Sequence, residues 1–398
     1  MNNSTKDYNY YKTVFKGTQL PFAYVDMDLF NKNTEEIIKR TGNKKIRIAS
    51  KSIRCLDLIK KVLASNPIFQ GVMCYHPLEA VYLSENGLDD LLIAYPIFSE
   101  QHIKAICKEI KKGKTIIAML DLPEHAEQLN RVAQQENCII PVCIDIDMSS
   151  DFGNLHFGVR RSKITKTQQA IELFDTIKKL KNIRLDGVMG YEAQIAGVGD
   201  ITDSFAKNIV IPMLKKKSVK ELSKRRADIV NAIESRGHQL KFINGGGTGS
   251  IETTITETCV TEITVGSGFY SPGLFDAYKN FRHLPAAAYA IEITRNPLEG
   301  VYTCYGGGYT ASGSIEKNKS PKPYLPKGAK LIETEGAGEV QTPIVYKGPE
   351  KLKLGDPVFM RHAKAGELCE RFNSLILVAN GEIIGDVKTY RGEGKCFL

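Results

Sequence analysis

Short apolar segments alternate with longer amphipathic segments over the first two thirds of the chain. Segments such as Cys55–Leu63, Pro77–Asn86 and Glu100–Lys112 carry apolar residues at helical spacing. Eight apolar segments have the length of strands: Lys45–Ser50, Phe69–Tyr75, Leu91–Pro96, Thr115–Leu120, Ile139–Ile146, Leu185–Tyr191, Phe242–Gly247 and Glu262–Gly268. Strands that alternate with helices indicate a buried parallel sheet. Eight such units predict a (β/α)8 barrel. An open doubly wound sheet is the alternative, although no G-x-G-x-x-G follows the first strand.

The pattern changes after about residue 286, where Gly and Pro become frequent and short β-branched segments replace the amphipathic ones. These segments are Ile291–Thr294, Val301–Tyr305, Thr342–Val345, Pro357–Met360 and Ser374–Val378. The turn at Ala379-Asn380-Gly381 is typical of a hairpin. Within the barrel region, between the sixth and the seventh predicted strand, the charged stretch Ser218–Ile233 predicts an extended helix or an insertion. We therefore expect an N-terminal arm (residues 1–20), a barrel (21–285) and a mostly-β domain (286–398).

Composition restricts the class of protein. The chain has 398 residues and a net charge of +9, and its length suggests two domains. Its apolar runs are too short to span a bilayer, and its polar N-terminus carries no visible secretory signal. Nine cysteines without a C-x-x-C pair indicate reduced thiols, hence a cytoplasmic protein. The basic runs are interpreted as solvated surface, so we expect neither nucleic acid nor membrane as a partner. A positive bias suits anionic small molecules.

Two glycine clusters end the last two predicted barrel strands. The first is Asn244-Gly245-Gly246-Gly247-Thr248-Gly249, and the second is Val265-Gly266-Ser267-Gly268. The backbone N–H groups of such turns bind anions, usually phosphate. In (β/α)8 barrels the loops after strands 7 and 8 commonly form a phosphate site, so we expect both turns to hold one phosphate. The alternative is that the glycines only close tight turns.

A lysine follows the first predicted strand at the same end of the barrel. Lys51 is either a surface cation or a functional amine. An amine that faces a phosphate site is what pyridoxal phosphate requires. A sugar-phosphate enzyme of the aldolase type also uses such a lysine and is the chemical competitor.

In order and spacing, these features resemble the alanine-racemase-type family of pyridoxal-phosphate enzymes. The resemblance includes Pro21–Asp28, Lys51, the Gly190-Tyr191 turn, both glycine clusters and Tyr305–Tyr309, and it covers nearly the whole chain. The most similar branch is the D-threonine aldolase and D-serine dehydratase group.

The resemblance implies a barrel of alanine-racemase type with a C-terminal β domain, pyridoxal 5'-phosphate as cofactor and a homodimer. It also implies a lyase that acts on a D-configured hydroxy amino acid by dehydration or aldol cleavage. An amino-acid racemase is the alternative. A cofactor-binding barrel without turnover is a third class, which the β domain disfavours.

The resemblance also assigns roles to single residues. Lys51 corresponds to the Schiff-base lysine and Tyr191 to a tyrosine beside the cofactor. His156 stands where the family often has an arginine against the ring hydroxyl; it is either a substitute donor or an ordinary surface histidine. The residues that correspond to the phosphate site are Gly246, Gly247, Thr248, Gly266, Ser267, Gly268 and Tyr270.

The metal-binding pair of the dehydratase and aldolase branch, His-x-Cys or His-x-Asp, is incomplete in this sequence. The corresponding positions are His362 and Lys364, and Cys369 lies at the wrong spacing. We therefore expect no metal. Protein groups would then activate the substrate hydroxyl, and the candidates are His362, Lys364 and Glu367. The candidates for binding the substrate carboxylate are Arg54, Arg160 and Arg161.

Overall fold

The structure is a computed structural model that describes residues 6–202, 204–313 and 316–397. It divides into two compact units that interleave along the chain. The barrel unit contains Ile37–Lys51, Leu58–Gly266 and Phe397. The β unit contains the described residues up to Glu36, together with Ser52–Asp57 and Ser267–Cys396. The boundaries at residues 20 and 285 remain predictions.

The strands and helices of the described residues follow in chain order. The strands are β1 (Phe22–Asp26), β2 (Lys45–Ala49), β3 (Phe69–Cys74), β4 (Leu91–Pro96), β5 (Ile116–Leu120), β6 (Ile140–Asp145), β7 (Ser150–Phe152), β8 (Leu155–Phe157), β9 (Ile183–Gly190), β10 (Phe242–Gly245), β11 (Glu262–Val265), β12 (Ala287–Leu298), β13 (Val301–Tyr305), β14 (Lys322–Leu325), β15 (Lys330–Leu331), β16 (Gln341–Val345), β17 (Pro357–Arg361), β18 (Ser374–Ala379) and β19 (Glu382–Lys388). The helices are α1 (Tyr8–Val14), α2 (Met27–Thr41), α3 (Leu56–Ser65), α4 (Pro77–Glu85), α5 (Glu100–Lys111), α6 (Pro123–Gln135), α7 (Thr167–Lys179), α8 (Ala193–Ala196), α9 (Phe205–Glu234), α10 (Ile251–Thr254) and α11 (Ser267–Tyr270).

The barrel unit is a closed barrel of parallel strands in the order β2-β3-β4-β5-β6-β9-β10-β11. Pairing of Val265 with Ile48 closes it between the last and the first strand. These are the eight strands that the apolar segments predict, so the predicted (β/α)8 barrel is confirmed and the open doubly wound sheet is wrong. The predicted long helix before the seventh strand is α9, which has 30 residues. None of the helices in the described ranges is long and apolar enough to cross a membrane.

Apolar side chains of the barrel strands form a buried cluster: Leu92, Ile117, Met119, Cys143, Met189 and Phe242. Each such burial contributes about 1.5–3 kcal/mol relative to an exposed side chain. Gly187 makes room for the ring of Phe242, because a Cβ there would lie 2.5 Å from its Cζ atom. Tyr191 packs against this cluster, so the packing of the core fixes where its ring lies.

The β unit is built on a mixed sheet in the order β15-β16-β13-β12-β1-β18-β19, with β14 and β17 paired beside β12. The predicted mostly-β C-terminal domain is therefore confirmed. Its central strand, β1, comes from the N-terminal part of the chain and runs parallel to β18 and antiparallel to β12. Helix α1 packs on this unit, where the Tyr11 hydroxyl donates to Asp26 Oδ2 at 2.8 Å.

Candidate active site

Lys51 lies at the carboxyl end of the first barrel strand. Ile46 and Ile48 of β2 are fully buried, and the strand ends in a 3-10 turn over Ser50–Ser52 that leaves Lys51 exposed. The Ser50 hydroxyl donates to the Met73 carbonyl at 2.9 Å, which ties this turn to β3. Lys51 Nζ donates to the Tyr95 hydroxyl at 3.2 Å. The amine is therefore both accessible and oriented.

Two cations lie beside the Tyr95 side chain. Tyr95 lies in β4, next to the last residue of the strand. Lys51 Nζ and Arg161 Cζ each lie 5.9 Å from its ring centroid. Lys51 reaches the hydroxyl rather than the ring face, and the Arg161 contact stabilises by about 0.5–1 kcal/mol at an exposed site. Tyr95 thus brings a strand-end lysine and an arginine from the loop after β8 to one place.

Tyr191 follows β9 directly and lies against the first glycine turn. A Cβ at Gly247 would lie 3.2 Å from Tyr191 Cε2, so the missing side chain leaves room for the ring. Burial, with a smaller contribution from Glu192 and against an opposing effect of Arg161, raises the pKa of Tyr191 to about 12. The phenol is therefore protonated at neutral pH and is able to donate a proton.

Asp145 is the last residue of β6. Burial raises the pKa of its carboxyl to about 8, with further increases from Asp121 and Asp147 and an opposing effect of Arg161. Asp145 is a second group at this end of the barrel that is protonated near neutral pH. Asp145 and Tyr95 are not predicted as site residues from the sequence. Each lies at or near the carboxyl end of a predicted strand, and this position is the signal that could have found them.

The first glycine turn follows β10. Gly246 has φ +79°, and its N–H donates to Glu192 Oε2 at 3.2 Å. The Gly247 N–H donates to Ser250 Oγ at 3.0 Å. Thr248 is buried, and its carbonyl accepts from Arg40 Nη2 at 2.8 Å. Protein acceptors thus take the first two N–H groups of this turn and hold its shape, and its role in phosphate binding remains a prediction.

The second cluster is divided between the units. Gly266 follows β11 in the barrel unit, whereas Ser267, Gly268 and Tyr270 form α11 in the β unit. The hydroxyls of Ser267 and Ser52 share a hydrogen bond of 3.2 Å. Tyr270 is fully buried, and its hydroxyl donates to the Ile53 carbonyl at 3.0 Å. The phosphate roles of these residues remain predictions.

His156 and Arg54 each contact a nearby carboxylate. His156 Nδ1 lies 2.8 Å from Asp151 of its own β7–β8 hairpin. Arg54 of the β unit pairs with Glu370. The structure brings together Lys51, Tyr95, Arg161 and Tyr191, and the contact described for His156 is with Asp151.

The comparisons with known proteins bear on this arrangement. A model of the alanine racemase N-terminal domain family matches residues 25–272. The chain belongs to this family. The predicted resemblance is thereby confirmed. The chain is 21% identical over 252 residues to the 3-hydroxy-D-aspartate aldolase of Paracoccus denitrificans (strain Pd 1222), a match of 63% of this chain and 59% of that protein. The chain thus spans less than two thirds of the length of this relative.

Solved structures share the fold. The D-threonine aldolase of Filomicrobium marinum superposes with a TM-score of 0.79 at 16% identity, covering 94% of this chain and 95% of that one. The D-threo-3-hydroxyaspartate dehydratase of Delftia sp. HT23 gives 0.71 at 14% identity, covering 94% and 98%. An alanine racemase of Clostridium difficile 630 gives 0.66 at 16% identity, covering 94% and 99%. At these identities the likeness shows the fold alone.

The residues at the family's metal position lie in the β unit. His362 is fully buried; burial and Arg361 lower its pKa to about 3, against a partial rise from the Ala287 backbone. Lys364 Nζ donates to the Ser312 hydroxyl at 2.8 Å, and the Glu367 carboxylate accepts from the Ser312 N–H at 2.9 Å. Within the described ranges, no group of three or more His, Cys, Asp or Glu side chains could hold a metal ion.

Proposed function

We propose that the protein is a pyridoxal-phosphate-dependent lyase that acts on a D-configured hydroxy amino acid, by dehydration or by aldol cleavage. The observation that carries this proposal is the exposed Lys51 amine at the mouth of a barrel of the alanine racemase N-terminal domain family, hydrogen-bonded to Tyr95. The curated relative is named a 3-hydroxy-D-aspartate aldolase, which supports this substrate class.

Residues of the barrel unit are proposed to hold the cofactor. Lys51 would hold the aldehyde carbon, and the turn at Gly246, Gly247 and Thr248, with Gly266, would bind the phosphate. When bound, pyridoxal phosphate supplies a conjugated ring that stabilises charge at the substrate Cα. Ser267, Gly268 and Tyr270 remain predicted phosphate residues.

Different side chains at the mouth of the barrel would then carry out different proton transfers. The Lys51 amine is the base that removes the Cα proton, with Tyr95 as its orienting partner. The neutral Tyr191 phenol donates a proton. Arg161 is proposed to bind the substrate carboxylate or the ring hydroxyl. His156 is kept as a proposed further donor.

Absorbance tests the cofactor. Purified protein supplied with pyridoxal phosphate should develop a band near the visible edge, and Lys51→Ala should lose it. Lys45→Ala is the matched control, because Lys45 is an exposed lysine on the same strand. A wild-type protein that stays colourless would refute the proposal.

Product analysis tests the reaction. The D- and L-forms of serine, threonine and 3-hydroxyaspartate would be supplied with and without a chelator. A keto acid with ammonia identifies a dehydratase, and an aldehyde with glycine identifies an aldolase. The opposite enantiomer would instead identify the alternative, a racemase. Loss of activity with the chelator would refute the proposal that no metal takes part.

We further propose a homodimer, in which α9 of one copy packs on the β unit of the other. Phe205, Ile209 and Met213 lie four residues apart on α9, and their side chains are 81%, 54% and 51% exposed. The exposed residues Lys216 and Lys217 follow on the same helix. This forms an apolar and basic surface.

The β unit carries a surface of complementary charge. Val340 and Tyr305 are both exposed; Tyr305 pairs with Gln341, the residue after Val340, and the Gly306 N–H donates to the Val340 carbonyl at 2.7 Å. Exposed carboxylates precede Val340: Glu333, Glu335 and Glu339. An acidic and apolar surface on one copy would pair with α9 of a second copy, twice in a symmetric dimer.

Light scattering tests the dimer. Ile209→Lys should shift the protein to monomer, whereas Leu298→Lys, at another exposed apolar residue, should not. A monomeric wild type would refute the dimer.

We also propose a cytoplasmic location, because no disulfide links the nine cysteines, all of which lie in the described ranges. Cell fractionation tests that location.

A further inference from the structure

We infer that Glu192 is a positioning residue that holds the first glycine turn against Tyr191 and so sets the affinity for the cofactor's phosphate. This inference rests on the proposed function, because it assumes that the turn binds the phosphate of pyridoxal phosphate. It adds a residue that touches neither cofactor nor substrate and acts through the turn.

The Glu192 carboxylate is the meeting point of several donors. Its side chain is 2% exposed. Oε2 accepts from the Gly246 N–H at 3.2 Å and from Arg226 Nη2 at 3.1 Å. Oε1 accepts from the Ser250 hydroxyl at 3.0 Å and from the Thr254 hydroxyl. A buried carboxylate requires such a set of donors, and here three of the four come from the turn and the short helix after it.

The same carboxylate reaches both amides at the start of the turn. The Gly246 N–H is bound directly, and the Gly247 N–H donates to Ser250 Oγ, which in turn donates to Glu192. Glu192 also follows Tyr191 in the chain. A single side chain therefore holds the glycine backbone that faces the Tyr191 ring.

Arg226 offsets part of the charge of this carboxylate. Its side chain is 1% exposed and pairs with Glu192 and Glu257. Its Nη2 also donates to the Gly190 carbonyl at 2.9 Å, which ties α9 to the end of β9. Because Arg226 is shared with Glu257, it offsets part of the negative charge that Glu192 brings to the turn.

The test replaces the charged oxygen while keeping the size of the side chain. In Glu192→Gln an amide group faces the Gly246 N–H or Arg226, so part of the donor set loses its acceptor. We expect the affinity for pyridoxal phosphate to fall roughly 10- to 100-fold. The affinity for pyridoxal, which has no phosphate, should change by less than about threefold, since Lys51 is untouched.

The apoprotein is titrated with pyridoxal phosphate and with pyridoxal, and the absorbance band that depends on Lys51 reports binding. Inorganic phosphate is added as a competitor and should compete less well in the variant. Glu109→Gln is the matched control, since Glu109 is also a buried carboxylate with a hydroxyl donor, Ser84, and a paired cation, Lys112, but lies on α5. This control should keep the wild-type preference for the phosphorylated compound.

If Glu192→Gln does not fold, Thr254→Val removes one donor and serves as the second variant. An equal loss for both compounds, or no loss for either, would overturn the positioning role. A wild-type protein without the absorbance band would instead overturn the proposed function, so the two failures are distinct.

Discussion

Asp145 makes stability depend on pH in a way that its replacement should remove. The pKa of this carboxyl is about 8 in the folded protein against an ordinary 3.8, with burial as the main cause. The folded state therefore binds the proton more tightly than the unfolded chain, and stability falls as pH rises from about 4 to about 8. The slope is ~1.4 kcal/mol per pH unit, which gives a loss of about 4 kcal/mol between pH 5 and pH 8.

Asp145→Asn removes the charge and leaves a side chain of similar size. Urea unfolding of the apoprotein at pH 5 and pH 8, followed by circular dichroism, gives the free energy of unfolding of each variant. The free energy of unfolding of Asp145→Asn, taken relative to that of wild type, should rise by about 4 kcal/mol from pH 5 to pH 8. Asp175→Asn, at an exposed aspartate of α7, should gain nothing. A difference between Asp145→Asn and wild type that is the same at both pH values would refute the reasoning.

Three further predictions concern single side chains. Gly247→Ala should cost about 1–3 kcal/mol and weaken cofactor binding, because the new Cβ would lie 2.9 Å from Ala196 Cβ and 3.2 Å from Tyr191 Cε2; thermal unfolding and cofactor titration check this. His362, with a pKa lowered to about 3, makes the wild type lose stability as pH falls below 6.5. Between pH 6.5 and pH 5, His362→Leu should therefore lose about 2 kcal/mol less of its free energy of unfolding than wild type, as measured by urea unfolding. Equal losses in the two proteins would contradict the burial of a neutral imidazole. Tyr95→Phe removes the acceptor of the Lys51 amine and should lower kcat/KM roughly 5- to 10-fold while the absorbance band remains; an unchanged kcat/KM would exclude an orienting role.

The barrel could be predicted from the sequence because its strands are buried on both faces. Such strands appear as continuous apolar segments, as in Leu91–Pro96 and Ile139–Ile146. Strand β1 is equally buried, yet its place was not predictable. Its partners β12 and β18 lie far along the chain, and a hydrophobic pattern does not specify which strands pair.

The site was predictable where a side chain directly follows a strand. Lys51 and Tyr191 both do so. Arg161 comes from the loop after a short hairpin, and the reach of such a loop depends on tertiary contacts. The pairing of Glu192 with Arg226 depends on the course of α9, so the fold alone reveals it.

The protonation states at the barrel mouth bear on the choice between the two lyase reactions. Aldol cleavage needs a base to remove the proton of the substrate hydroxyl, whereas dehydration needs an acid that protonates the hydroxyl as it leaves. Burial keeps Tyr191 and Asp145 protonated near neutral pH, because their pKa values are raised to about 12 and about 8. Both groups are therefore acids there, and Lys51 is left as the base for the Cα proton. If Asp145 is the acid for dehydration, that reaction should slow as the carboxyl ionises above about pH 8, whereas aldol cleavage would lose no acid that it needs.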